Sequence, residues 1–376
     1  MFKAKLRTSS AKVRISSPVP SYYFCDSSGS LSYRNDAACK DLHLPEIVFG
    51  SINGIGQALG TYAVMTMEIP WSLVKDRIGG TASSVTFVKG LERGYLDGLV
   101  SVLPKTDYVV GVGGGVAVDA AKYLAWKRES KLVVVPTIVS VDAYVTQEIA
   151  VRDDGVVNYT GHVVPEKVVV DFDAIRSAPK NMNTAGTGDI YSGRTALFDW
   201  KFSHEKTGEP YDANVAGGME GVLDILVANA SEIKNVTEKG IRTIVELHAE
   251  ANRLVNLAPR LPGKPPTRPE EGSEHAFFYT LENITRRSFV HGQAVGTGIF
   301  VSTHFQTREE ENVANVMDSL GLVYRPAEYG ASREDFVSTI LNLKNYSRKA
   351  GLLYSILDEV EVSQRDAVEL WDELSH

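Results

Sequence analysis

The stretch that most constrains this chain is residues 107–122, Asp-Tyr-Val-Val-Gly-Val-Gly-Gly-Gly-Val-Ala-Val-Asp-Ala-Ala-Lys. Its pattern predicts a short buried strand over 108–110 and a helix over 116–128, with Ala120, Ala121 and Leu124 on one face. Between them lie four glycines in five positions, 111–115. Glycine lets the backbone turn tightly and come close to a ligand. A helix start offers unpaired N–H groups and a partial positive charge. A strand running through glycines into a helix therefore suits a phosphate group. Glycines alone also fit a tight turn that binds nothing. The spacing is Gly-Gly-Gly-x-x-x-Asp-x-x-Lys, which is not the G-x-G-x-x-G of the common dinucleotide fold.

Around this turn the chain alternates. Strands are predicted at 47–49, 63–68, 84–88, 132–135 and 167–171, and helices at 54–62 and 91–103. A hairpin is predicted over 149–164 around Asp153-Asp154-Gly155. Such alternation implies a mostly parallel sheet covered on both faces. After Asp173 strand-like runs stop. Helical periods follow at 188–203, 214–233, 239–257, 273–287, 293–307, 309–320, 333–343 and 363–374, with a five-proline loop at 258–271. The expected organisation is an N-terminal extension (1–44), an α/β dinucleotide-binding domain with a Rossmann-like sheet (45–180) and an all-α domain (181–376). A ligand at the sheet's carboxyl edge would then lie between the domains.

Within the extension, the alternations at 2–6 and 12–15 fit edge strands, and 1–44 would serve as a hairpin or an arm onto another subunit. A homo-oligomer is expected on that account. The chain has 376 residues, 43% of them hydrophobic, which is enough for two ordinary domains. A net charge of −8 argues against broad nucleic-acid binding. No run approaches the ~18 apolar residues of a membrane helix. Two cysteines, Cys25 and Cys39, cannot build a cysteine-based metal site and fit a reducing compartment. A cytoplasmic enzyme is the expectation, and the Asn-x-Ser/Thr sequons are then chance matches.

Three helix starts carry chemistry. Asp189 follows Gly188, His275 follows Gly-Ser-Glu, and His291 precedes Gly292. Each alone is unremarkable: an acid at a helix N-terminus is favoured by the dipole, and a lone histidine is more often structural. Together one carboxylate and two imidazoles suit a divalent transition metal with an open coordination position. His43, His162, His204, His248, His304 and His376 lack comparable settings and read as structural or solvated.

The glycine turn, Pro136-Thr-Ile-Val-Ser-Val-Asp142, Gly188-Asp189, Glu274-His275 and His291-Gly292 stand in the order seen in the metal-dependent polyol dehydrogenases. The chain resembles that superfamily, which holds the iron-dependent alcohol dehydrogenases, glycerol dehydrogenase and the dehydroquinate synthases. Within it, Thr187-Gly-Asp-Ile190, Thr195-Ala-Leu-Phe-Asp-Trp-Lys201, Thr207-Gly-Glu-Pro-Tyr211 and Thr267-Arg-Pro269 are similar to the glycerol-1-phosphate dehydrogenases.

The resemblance implies a dehydroquinate synthase-like fold and an NAD- or NADP-dependent oxidoreductase. It would act on a small polyol or polyol phosphate, with sn-glycerol 1-phosphate and dihydroxyacetone phosphate as the leading pair and glycerol or another secondary alcohol as the alternative. It implies one divalent metal, zinc first and iron or nickel next, held by Asp189, His275 and His291. Cofactor contacts would come from Gly113, Gly114, Gly115, Val116, Asp119, Lys122, Thr137, Ser140 and Thr146. Glu68, read as the end of a strand, would hold ribose hydroxyls. Asp142 and Asp189 would meet the substrate. Tyr279 stands where the phosphate-substrate members usually carry a second histidine, so it would meet substrate without a charge. For a phosphate, Arg194, Arg286 and Arg287 are further candidates. The cyclases of the superfamily need a lysine where this chain has Glu148, which argues against elimination and cyclisation.

Overall fold

The computed structural model describes residues 44–264 and 267–375 in full, and before them the backbone of two short strands, β1 (Tyr23–Cys25) and β2 (Leu31–Tyr33), paired antiparallel. The strands expected at 2–6 and 12–15, and Cys39, lie outside the described residues. The first half then alternates β3 (Glu46–Phe49), α1 (Ile55–Ala58), β4 (Tyr62–Thr66), α2 (Glu68–Ile78), β5 (Ser84–Phe87), α3 (Arg93–Val102), β6 (Tyr108–Gly113), α4 (Gly115–Arg128) and β7 (Lys131–Pro136). A hairpin, β8 (Glu148–Asp153) and β9 (Val156–His162), precedes the last strand, β10 (Lys167–Val170).

Six strands form one sheet in the order β3-β10-β7-β6-β4-β5, and every pairing in it is parallel. Side chains alternate between its faces. Val109, Leu132, Val134, Val168 and Val170 face one core; Val110, Val112, Val133, Val135 and Val169 face the other. Burial on both sides explains why these strands read as unbroken apolar runs. From β4 the chain steps outward to β5, then returns across β4 to β6. Loops leaving β4 and β6 therefore diverge, and a crevice opens at their carboxyl ends. Helix α4 lies close on β6: a methyl group at Gly111 would sit 2.8 Å from Ala121 Cβ.

The remainder is helical: α5 (Phe172–Arg176), α6 (Lys180–Thr184), α7 (Gly186–Tyr191), α8 (Gly193–Thr207), α9 (Ala213–Ala228), α10 (Ala230–Lys234), α11 (Glu238–Leu257), α12 (Ser273–Thr285), α13 (His291–Gln306), α14 (Glu310–Leu320), α15 (Arg333–Ala350) and α16 (Gln364–Leu374). One apolar core continues from the inner face of the sheet into these helices. The hairpin bridges the two parts. It turns at Asp154 and Gly155, both at positive φ, and Arg152 ties it to α12 through Glu282 at 2.8 Å.

Several expectations need correcting. The helix expected over 54–62 is one turn, Ile55–Ala58. Strand β4 stops at Thr66, and Glu68 opens helix α2 rather than ending a strand. Pro70 masked that helix in the sequence, yet proline is tolerated in a first turn, where its missing N–H has no partner in any case. The helix expected over 188–203 is two, parted at Ser192, and that over 214–233 is parted at Asn229.

Candidate active site

The starts of α7 and α13 meet backbone to backbone. A methyl group at Gly188 would lie 2.0 Å from the Gly292 carbonyl oxygen, and one at Gly292 would lie 1.8 Å from the Ala185 oxygen. Only glycine permits that approach. Because Asp189 and His291 adjoin these two residues, the contact brings their side chains together. His291 Nε2 lies 2.9 Å from Asp189 Oδ1. His275, in the first turn of α12, completes the group: its Nε2 is 3.2 Å from His291 Nε2 and 3.7 Å from Asp189 Oδ1.

These separations fit a cation. Ligands about 2.1 Å from a tetrahedral zinc stand roughly 3.4 Å apart, and the three distances bracket that value. Orientation agrees. The buried Glu274 accepts a hydrogen bond from His275 Nδ1–H at 2.9 Å, which leaves the Nε2 lone pair to face the shared point. Glu274 is fixed in turn by the Gly272 N–H at 2.6 Å and the Thr195 hydroxyl at 2.7 Å. Asp199 holds the start of α12, accepting from the Ser273 N–H at 2.7 Å and its hydroxyl at 2.6 Å.

Charge follows the same logic. Burial would raise the Asp189 carboxyl, but the imidazoles of His291 and His275 overcome it and hold the group well below the usual range. Burial disfavours a charged His275, but the carboxylates of Glu271, Asp189 and Glu274 outweigh it and lift the imidazole well above its ordinary value. The cluster thus attracts positive charge at the point where its ligand atoms converge. Asp142 donates its backbone N–H to Asp189 Oδ2 at 2.8 Å. Desolvation and the adjacent Asp189 push the Asp142 carboxyl well above the carboxylate range.

All of this opens into one cleft of roughly 870 Å³. One end is the crevice of the sheet. There Gly114, Gly115, Val116, Asp119, Thr137, Ser140, Thr146 and Glu68 line the wall. The other end carries Asp142, Asp189, His275, Tyr279 and His291. Gly115 opens α4, so the free amides of its first turn belong to the crevice.

Two of the expected cofactor contacts do not line the cleft. Lys122 is fully buried, donating to the Thr146 hydroxyl at 2.9 Å and the Glu148 carbonyl at 3.0 Å, with Asp119 3.5 Å away. It braces the wall from behind, because α4 turns that face into the core. Gly113 ends β6 at φ 141°, under Ala117 and Pro70, and shapes the turn. Arg194, Arg286 and Arg287 are likewise absent from the wall. They bond Glu309, the Asp154 carbonyl and Asp335, respectively.

The reading of His248 as structural or solvated missed its position. It is fully buried on α11, 3.6 Å from Asp189 Oδ2. Its Nε2 lies 3.2 Å from the Gly186 carbonyl and must donate; its Nδ1 therefore accepts from the Tyr144 hydroxyl at 2.7 Å. Burial lowers its pKa to about 4, so it stays neutral. Sequence reasoning also passed over Glu270, Glu271, Arg152 and Tyr159, which line the metal-ligand end. Glu271 accepts hydrogen bonds from the hydroxyls of Tyr159 at 2.7 Å and Tyr279 at 2.9 Å. Two adjacent acids in a proline-rich loop just before Gly-Ser-Glu-His were the one available signal.

The chain is similar to known proteins in sequence and in fold. A family model described as iron-containing alcohol dehydrogenase matches residues 64–179. The solved structure of a probable glycerol dehydrogenase from Sinorhizobium meliloti superposes with a TM-score of 0.68 at 20% identity, covering 88% of this chain and 97% of that one. In sequence over residues 64–179 and in fold, the chain is similar to the iron-containing alcohol dehydrogenases. Over a longer span, a glycerol-1-phosphate dehydrogenase [NAD(P)+] of Methanoculleus marisnigri is 26% identical over 89% of both chains. Another, from Cenarchaeum symbiosum, is 29% identical over 69% of this chain and 71% of its own.

Proposed function

We propose that this protein is a metal-dependent NAD(P) oxidoreductase that interconverts a small polyol, or its phosphate, with the matching ketone. The leading pair is sn-glycerol 1-phosphate and dihydroxyacetone phosphate, the substrate class for which the relatives are named. One observation carries the reading: Asp189, His275 and His291 converge to metal-ligand spacing at one end of a cleft whose other end is the glycine turn.

When bound, a divalent cation supplies Lewis acidity toward a carbinol or carbonyl oxygen, and the nicotinamide supplies or accepts the hydride. The residues do the rest. Asp189, His275 and His291 would hold the cation; Glu274 orients His275, and the Asp142 N–H holds Asp189. The donor set is one carboxylate and two neutral imidazoles, which zinc accepts readily; iron and nickel fit the same set. The amides of Gly114, Gly115 and Val116 hold the cofactor's pyrophosphate, beside Asp119, Thr137, Ser140 and Thr146. Glu68 accepts from the adenosine ribose hydroxyls and repels a 2′-phosphate, which favours NAD. Asp142 orients a substrate hydroxyl, and Tyr279 faces the substrate's far end. Among the described residues no helix is long and apolar enough to cross a membrane; we place the enzyme in the cytoplasm as a homo-oligomer.

The test is direct. Purified protein is analysed for metal and assayed with NADH and NADPH on dihydroxyacetone phosphate and dihydroxyacetone. Reduction should require metal and disappear in Asp189→Ala. Full activity in that variant would remove the mechanism.

A further inference from the structure

One buried acid in the cleft has an oxygen with no hydrogen-bond partner among the described residues. Glu270 is 8% exposed and belongs to the cleft wall. Its Oε1 is buried and meets no donor among the described residues. Carboxylate oxygens of Glu270, Asp142 and Asp189 all lie within 4.8 Å of one another. Asp189 has the imidazoles and the Asp142 N–H. Glu270 has nothing comparable, and a buried acceptor left without a donor costs about 1–3 kcal/mol.

The segment bearing Glu270 is anchored, so the side chain does not relax to find a donor. Glu270 donates its N–H to the Thr267 carbonyl at 2.8 Å, and its own carbonyl accepts from the Ser192 hydroxyl at 2.8 Å. That hydroxyl also bonds the Asp189 carbonyl at 2.5 Å, linking the loop to the metal-ligand helix. Two residues before Glu270, Arg268 is 3% exposed and clamped to Glu209 at 3.2 and 3.4 Å. An acceptor held this firmly at a ligand cleft requires a donor that arrives with the ligand. Three carboxyl groups converge there, Asp189 among them ionised, and they disfavour an anion.

Resting on the dehydrogenase reading, we propose that Glu270 determines specificity: its Oε1 accepts a hydrogen bond from a hydroxyl on the carbon next to the reacting one. The substrate is then a polyol with adjacent hydroxyls. Its uncharged, hydroxyl-bearing end lies against Asp142 and Glu270. A phosphate, where the substrate carries one, points away from these carboxyl groups.

Two ketone pairs that differ by that hydroxyl test the assignment: hydroxyacetone against acetone, and dihydroxyacetone phosphate against hydroxyacetone phosphate. Metal-loaded wild-type protein with NAD(P)H should prefer the hydroxylated member of a pair by about ten- to hundredfold in kcat/KM, the cost of leaving a buried acceptor without its donor. In Glu270→Leu that preference should fall at least tenfold, with Glu270→Gln in between. Metal content and thermal midpoint are read alongside, and the isosteric glutamine variant carries the test if the leucine variant does not fold. Binding gives a second readout: calorimetric titration of propane-1,2-diol and of propan-2-ol into the metal-loaded protein should show the same change of ratio. An undiminished preference in both variants would return the hydroxyl to Asp142 alone and overturn the proposal. So would equal rates on both members of each pair in the wild type. Failure of metal-loaded wild type to reduce any of the four ketones is a different result. It strikes the dehydrogenase reading itself and the proposal with it.

Discussion

Replacing Gly292 by alanine tests the claim that two glycines assemble the metal site. The added methyl would lie 1.8 Å from the Ala185 carbonyl oxygen and 3.2 Å from the Ser140 oxygen. Both obstacles are backbone, so no side chain can swing aside. Restoring an ordinary carbon–oxygen contact requires the starts of α7 and α13 to part by on the order of 1.5 Å. His291 moves with α13 and Asp189 stays with α7. Metal–ligand distances tolerate only about 0.2 Å, so one of the three ligands is lost. We expect metal affinity to fall by about a hundredfold or more, since even indirect disturbance of a ligand costs 10–100-fold. Overpacking should also cost about 1–3 kcal/mol of stability. Gly221→Ala on α9 is the control. Nothing lies within 4 Å of a methyl group there, and alanine in a helix interior should stabilise by about 0.5–1 kcal/mol. Affinity is measured by competition with a chromogenic chelator and stability by thermal melting. Wild-type affinity and midpoint in Gly292→Ala would refute the back-to-back packing.

Other predictions follow from the same geometry. Glu274→Gln removes the carboxylate that orients His275 and should lower metal affinity by about 10–100-fold with little change in circular dichroism; chelator competition reads it. Glu68→Ala should shift the kcat/KM ratio of NADPH to NADH upward by roughly tenfold or more, and an unchanged ratio would remove Glu68 from the ribose site. His248 has a folded pKa of about 4 against an ordinary 6.5, so the folded state favours its neutral form. Its contribution is complete above pH 6.5 and is lost as pH falls toward 4, amounting to roughly 3 kcal/mol. Urea titrations of metal-free protein at pH 7 and pH 5 should show the loss, and His248→Gln should flatten it.

Strand and helix alternation, and the polar groups that carry chemistry, were legible because both are local. Val109 to Val112 and Leu132 to Val135 are apolar in succession, which marks strands buried on both faces. The glycine run announced a tight turn into a helix, and α4 begins at Gly115. Helix α2 escaped notice because Pro70 is a poor local sign of helix and only its place in the first turn makes it harmless.

The site divides in the same way. Sequence spacing and resemblance singled out Asp189, His275 and His291, and the residues alone determine that they are metal-ligating types at glycine-flanked helix starts. Whether they meet depends on Gly188 and Gly292 touching across 104 positions of chain, and packing decides that. Lys122 and His248 make the point from opposite sides. Lys122 stands in a motif yet faces the core, whereas His248 stands in no motif yet lies 3.6 Å from Asp189. Glu270 is one acid in a proline-rich loop until the fold leaves its Oε1 without a donor among the described residues. A sequence specifies which groups are present and the local conformations they prefer. Burial, orientation and charge environment arise from contacts between distant segments, and those exist only in the folded chain.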